Sequence, residues 1–159
     1  MSDALFSTGL HLLLAEHHRA LETVCADLRG AVYADETCAV VDAYRHFEHA
    51  VILQLEIEEH ELLPEFGEVF PLEAEAIRSE QRTLRDELYR LGVDVELHQA
   101  RAERFERLVG MLKLHLEVEE STLFPWVETF LAMPARRTVF TRIGRSLFEL
   151  GKVHQRRAA

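Results

Sequence analysis

Two pairs of polar side chains occupy positions where a helix would aim them at a core. Gln54 precedes Glu58 by four residues, and His115 precedes Glu119 by four. On a helix each pair therefore shares one face. That face is otherwise apolar, with Val51, Leu55 and Leu62 around Glu58 and Leu112, Leu116 and Leu123 around Glu119. A buried carboxylate is costly unless a cation, a proton or hydrogen bonds accompany it. Carboxylate and imidazole together are donors for a divalent transition metal. The same groups with amides can instead satisfy one another.

The two pairs belong to a repeat. Gln54-Leu55-Glu56-Ile57-Glu58-Glu59-His60-Glu61-Leu62-Leu63-Pro64 returns as His115-Leu116-Glu117-Val118-Glu119-Glu120-Ser121-Thr122-Leu123-Phe124-Pro125. Upstream, His18-Arg19-Ala20-Leu21 is echoed by Gln81-Arg82-Thr83-Leu84. The chain reads as two helical hairpins with matched inward polar residues. His18, Gln54 and Glu58 belong to one, and Gln81, His115 and Glu119 to the other.

This order of phrases resembles the hemerythrin-like (HHE cation-binding) family over roughly residues 8 to 130. The resemblance implies an antiparallel up-down four-helix bundle holding two irons. One would take His18 and a histidine of helix 2, the other histidines of helices 3 and 4, with Glu58 and Glu119 bridging. At the helix 2 and helix 3 positions this chain carries Gln54 and Gln81. The implied metal ligands are then His18, Glu58, His115 and Glu119, with Gln54 and Gln81 as weak ligands or vestiges of the site. Glu22, one turn after His18, and Glu80, beside Gln81, are further carboxylates within range. Iron, as one ion or two, is the cation implied first, with manganese or zinc behind it.

A metal-free network stands beside that reading. Gln54 and Gln81 would donate to Glu58 and Glu119, protonated His18 or His115 would neutralise one carboxylate, and Arg85 would compensate another. His17 and His18 both border the apolar stripe of helix 1, so periodicity does not separate them. The family phrase, in which the ligand precedes x-x-Leu, selects His18. A ferritin-like site needs Glu-x-x-His on two helices, and none of the nine histidines has Glu three residues before it.

Composition bounds the rest. At 159 residues, 48% hydrophobic and 29% charged, the chain suits one globular domain that buries roughly 70% of its unfolded surface. No apolar run approaches the ~20 residues that span a bilayer, and the first residues carry no basic leader, so the expected location is cytoplasmic, with no membrane partner. Cys25 and Cys38 are too few for a disulfide framework or a thiolate site. Residues 1–128 hold 11 basic and 27 acidic side chains, a net −16, and residues 129–159 hold 7 and 1, a net +6. That acidic body disfavours nucleic acid. The basic tail is expected to dock on its own body or on a partner.

The helices that must position the polar set follow from periodicity and punctuation. Ser7 or Thr8 is expected to cap a first helix that Gly30 stops near Arg29. After a loop over Ala31–Glu36, a second helix should run to Pro64. Pro71 opens a third, ended by Gly92, and a fourth runs from about Val95 to Phe124 with Pro125 beyond it. Residues 1–133 form the bundle. Residues 134–159 carry a basic amphipathic helix, Ala135 to Leu150, either part of the same domain or an interaction surface for a homodimer or another protein.

Three functions follow from the resemblance and the residues. The first is a di-metal-type protein binding or sensing oxygen, nitric oxide or peroxide. The second is a metal-free interaction module acting through residues 135–150. The third is an oxidase or peroxidase, ranked last because only His17, Tyr44 and Tyr89 offer themselves as proton donors.

Overall fold

A computed structural model describes the backbone of residues 9–158 and side chains as far as Lys152. The caps expected at Ser7 and Thr8 lie outside these residues. Helices α1 (Leu10–Ala34), α2 (Thr37–Ile57), α3 (Leu63–Val69), α4 (Pro71–Glu96), α5 (Ala102–Phe130) and α6 (Met133–Ala158) follow in order. No strand occurs among the described residues. The fold is an all-α four-helix bundle with an additional C-terminal helix. Helix α1 packs on α2 and α5, α4 on α5 and α2, and α6 lies outside the ring against α1 and α2. No helix among the described residues is long and apolar enough to cross a membrane.

Two glycines expected to end helices do not. Helix α1 runs through Gly30 to Ala34, because Ala31 and Val32 pack on the core. A mid-helix glycine costs about 1 kcal/mol against alanine, and the packing of those two residues outweighs it. The chain turns instead at Asp35, in the left-handed region at φ 54°. The expected six-residue loop shrinks accordingly to Asp35 and Glu36. Helix α4 continues past Gly92 to Glu96, and α5 begins only at Ala102. Gly92 is present for space. A Cβ there would lie 2.6 Å from the Tyr44 hydroxyl oxygen.

The two prolines of the repeat also behave differently from expectation. Pro64 does not end its helix. Between α2 and α3 the coil widens into a π-helical segment, Glu58–Leu62, and Pro64 sits in the first turn of α3. A proline ring clashes with the carbonyl four residues back, and the wider coil before Pro64 relieves that crowding. Pro125 lies inside α5, which continues to Phe130. Helix α6 is longer than expected at both ends. Its Val139 and Ile143 are buried, and Arg142 meets Glu56 at 3.4 Å and Glu61 at 4.0 Å. Arg136 ties the start of α6 to the end of α5, donating to the carbonyls of Leu131 and Val127 at 2.8 Å each. The first turn of α1 is held from α5, where Glu128 accepts from the amides of Gly9 and His11.

The core is divided in two. One apolar cluster contains Leu21, Leu55, Leu84 and Leu116, and the other contains Leu14, Leu62, Ile77 and Leu123. On each of the four bundle helices the boundary between these clusters falls at an inward polar residue. Those residues form a polar layer across the middle of the bundle.

Candidate metal centre

His18 on α1, Gln54 on α2, Glu58 at the start of the π segment, Gln81 on α4, and His115 and Glu119 on α5 are all buried. Four helices thus deliver six polar side chains to one layer, each placed there by the apolar residues a turn above and below. The π segment begins at Glu58 itself, and the Leu63 amide bonds back to the Glu58 carbonyl. Wide turns of this kind are often found at functional sites.

Within the layer Glu58 is well supplied with donors. The Gln54 amide nitrogen donates a short hydrogen bond to Glu58 Oε1, and that of Gln81 donates to Oε2 at 2.9 Å. Glu119 is not. His115 Nε2 lies 2.9 Å from Glu119 Oε1, and His18 Nε2 lies 3.6 Å from Oε2. Yet neither Glu119 oxygen, nor His115 Nε2, has a directed hydrogen bond among the described residues. One donor atom each from His18, Glu58 and Glu119 falls within 4.8 Å of the others. His115 Nε2 lies beside that group, 3.7 Å from Glu58 Oε2 and 2.9 Å from Glu119 Oε1.

The outer faces of both imidazoles are held alike. His18 Nδ1 is 2.9 Å from Glu120 Oε1, and His115 Nδ1 is 3.1 Å from Glu80 Oε2. Glu120 and Glu80 are half-exposed. With a cation in the layer, a carboxylate on Nδ1 would keep the proton there and turn the Nε2 lone pair inward, as around ligating histidines. The Phe124 ring, 4.8 Å from that of His18, closes the layer on one side.

The charges of the layer are interdependent. Burial, and then the neighbouring Glu119 charge, push the Glu58 carboxyl up, which favours its neutral form. Burial would raise Glu119 too, but the charge and contacts of His115, with His18 and Glu58 adding, hold it down and ionised. Burial opposes a charge on His115, yet Glu119 and Glu58 together raise its pKa to about 11. His18 is also raised, with burial outweighed by its contacts to Glu119, Glu120 and Glu58. Without a cation the layer therefore balances one carboxylate against imidazolium.

The other sequence candidates fall as follows. Glu80 enters as the outer partner of His115 and not at the centre. Glu22 is exposed and faces a groove with Cys25, Arg29 and Lys113. The expected compensation by Arg85 does not occur. Its guanidinium reaches the neighbouring Glu59 at 2.9 Å on the surface, because Glu58 faces the core and Glu59 does not. His17 is wholly buried but points away from the centre, its Nδ1 2.6 Å from Gln54 Oε1 and its Nε2 2.9 Å from Ser146 Oγ. Glu120 and Ser146 were not among the sequence candidates. The doubling of the repeat, Glu58-Glu59 against Glu119-Glu120, is a signal that could have drawn attention to Glu120. Ser146 has no comparable signal.

The donor set fits a divalent cation. One imidazole and two carboxylates converge with His115 beside them, and neither Glu119 oxygen nor His115 Nε2 has a directed hydrogen bond among the described residues. Comparison with the curated proteins and with the solved structures returns no match. The family model described as the hemerythrin HHE cation binding domain matches residues 10–127.

Proposed function

The chain belongs to the hemerythrin HHE cation-binding family, and from that premise we propose that its polar layer binds one divalent metal ion for the capture or sensing of a small ligand. His18, His115, Glu58 and Glu119 would hold the ion. The observation that carries this reading is that both Glu119 oxygens and His115 Nε2, wholly buried, make no directed hydrogen bond and meet only as an ion pair at 2.9 Å. Leaving such groups unsatisfied costs about 1–3 kcal/mol each, and more when charged. A cation is the partner that answers all of them at once.

One ion is favoured over two because the amides are spoken for. Gln54 and Gln81 both present N–H to Glu58, and an N–H is not a ligand. Two imidazoles and two carboxylates suit iron(II) or manganese(II). Held by these residues, a redox-active ion would supply Lewis acidity and one-electron chemistry towards oxygen, nitric oxide or peroxide. The residues of the chain would do the rest. Glu120 and Glu80 orient the imidazoles, the Gln54 and Gln81 amides hold Glu58, and Phe124 limits water on the His18 side.

Capture ranks above turnover. Tyr44 is committed to Glu48 at 3.0 Å and to the Leu88 carbonyl at 2.8 Å, Tyr89 is exposed, and His17 is spent on Gln54 and Ser146. These three were the proton donors an oxidase or peroxidase would have drawn on.

A metal-free interaction module is the second reading, and one observation favours it: the two amides already satisfy Glu58. Elemental analysis separates the readings. Protein made without a histidine tag, with iron supplied during growth, should carry about one metal ion per chain, and Glu119→Gln should carry almost none. Trace metal alone in the supplemented parent would reject the cation and leave the metal-free module.

A further inference from the structure

Helix α6 lies beyond the residues matched by the family model, yet it reaches the polar layer. Ser146 is 4% exposed and His17 is 0% exposed. They meet at 2.9 Å, from Ser146 Oγ to His17 Nε2. The other ring nitrogen, Nδ1, lies 2.6 Å from Gln54 Oε1. Gln54 in turn donates from its amide nitrogen to Glu58 Oε1 and lies 3.3 Å from His18 Nε2.

The chemistry of the groups sets the direction of this chain. A carbonyl oxygen only accepts, so His17 Nδ1 must carry the ring proton. The neutral ring then presents a lone pair at Nε2, and the Ser146 hydroxyl donates to it. Turning the Gln54 amide over would set N–H against N–H at His17 as long as the ring proton stays on Nδ1, and would take from Glu58 Oε1 the donor it now has. Both ends resist that turn, and every polar atom of the chain from Ser146 to Gln54 is satisfied as it stands.

We propose that Ser146 and His17 are positioning residues for the metal centre, which fix the Gln54 amide with its oxygen turned away and so keep it a hydrogen-bond donor to Glu58 rather than a ligand. Helix α6 thereby sets how many ligands the site offers. The consequence for metal rests on the one-ion reading above, whereas the direction of the hydrogen bonds does not.

Two measurements test this together. In chelated protein, long-range proton–nitrogen NMR of the histidine rings, with His17→Phe to assign the signals, should find His17 as the Nδ1–H tautomer. Ser146→Ala should shift the His17 Nε2 resonance, because the lone pair there loses its donor, and Ser146→Thr, which keeps the hydroxyl, should leave it at the parental position. With cobalt(II) as probe, Ser146→Ala should bind on the order of tenfold more tightly, the scale on which outer partners act on metal sites, because the freed amide oxygen can join the ion. Its visible bands should shift, and those of Ser146→Thr should not. An Nε2–H ring in the parent overturns the proposal, as does an unshifted His17 Nε2 resonance in Ser146→Ala, or parental or weaker cobalt affinity in that variant. A parent that takes up no cobalt ends the one-ion reading, and the ring tautomer still decides the positioning.

Discussion

Glu119 and His115 lie one helical turn apart on α5 with their facing atoms 2.9 Å from one another, and neither atom is engaged in a directed hydrogen bond. Side chains at this spacing share a face, so the close approach is built into the helix. The absence of a directed bond leaves the pair open towards the layer's centre. It is the arrangement of two ligands, and without a cation it is also an ion pair.

Glu119→Gln separates those two roles. It removes a ligand, so metal uptake should fall at least tenfold, the scale of outer-shell losses and a lower bound for a ligand itself. In chelator, however, the variant should stay close to the parent in stability, because His115, raised by Glu119 and Glu58, can release its proton once Glu119 is gone and leaves no buried charge unpaired. His115→Ala should instead lose on the order of 3–5 kcal/mol in chelator, because it strands a buried charge. Urea unfolding of all three proteins measures this. Equal losses for both variants would contradict the charge balance described.

His17 gives the chelated protein a specific acid response. Burial lowers its pKa from 6.5 to about 4, offset only in part by the bond to Gln54. A depressed folded pKa gives stability that is present above 6.5 and is lost as pH falls towards 4, since the unfolded chain takes up the proton first. The shift corresponds to roughly 3 kcal/mol over that window. His17→Phe should lack this component, so parent and variant should converge in stability as pH drops from 7 to 4. Parallel stability curves would contradict it.

Gly92 tests the packing away from the layer, about three helical turns beyond Gln81 on α4. In Gly92→Ala the new Cβ would meet the Tyr44 hydroxyl oxygen at 2.6 Å, and Tyr44 is fixed by the Leu88 carbonyl. Overpacking of this kind costs about 1–3 kcal/mol. Thermal unfolding should show that loss with metal content unchanged. A variant as stable as the parent would mean that Tyr44 is free to move.

The polar layer was legible in the sequence because helical spacing leaves little choice. A residue flanked by Leu55 and Leu62, or by Leu116 and Leu123, has to face inward. The helix ends were less legible. Gly30 and Gly92 looked like stops, but a stop is decided by what the following turn packs against, as Val32 and Val95 show. The π segment follows from Pro64, yet Pro125 in the matching phrase leaves α5 intact, so the motif alone does not announce it. Glu80 and Glu120 occupy positions that periodicity assigns to solvent, and they reach imidazoles on neighbouring helices. Ser146 stands 129 residues from His17. No local pattern joins them, and only the packing of α6 on α1 does.

The central claim is that one ion is held because Gln54 and Gln81 meet the layer as donors where the family has imidazole. Its most direct test is metal stoichiometry in the parent and in the double variant Gln54→His with Gln81→His. Both proteins would be made without a tag, loaded anaerobically with iron(II), freed of excess metal and assayed for iron per chain. The account predicts one iron in the parent and two in the double variant. Two irons in the parent, none in the parent, or no gain in the double variant would contradict it.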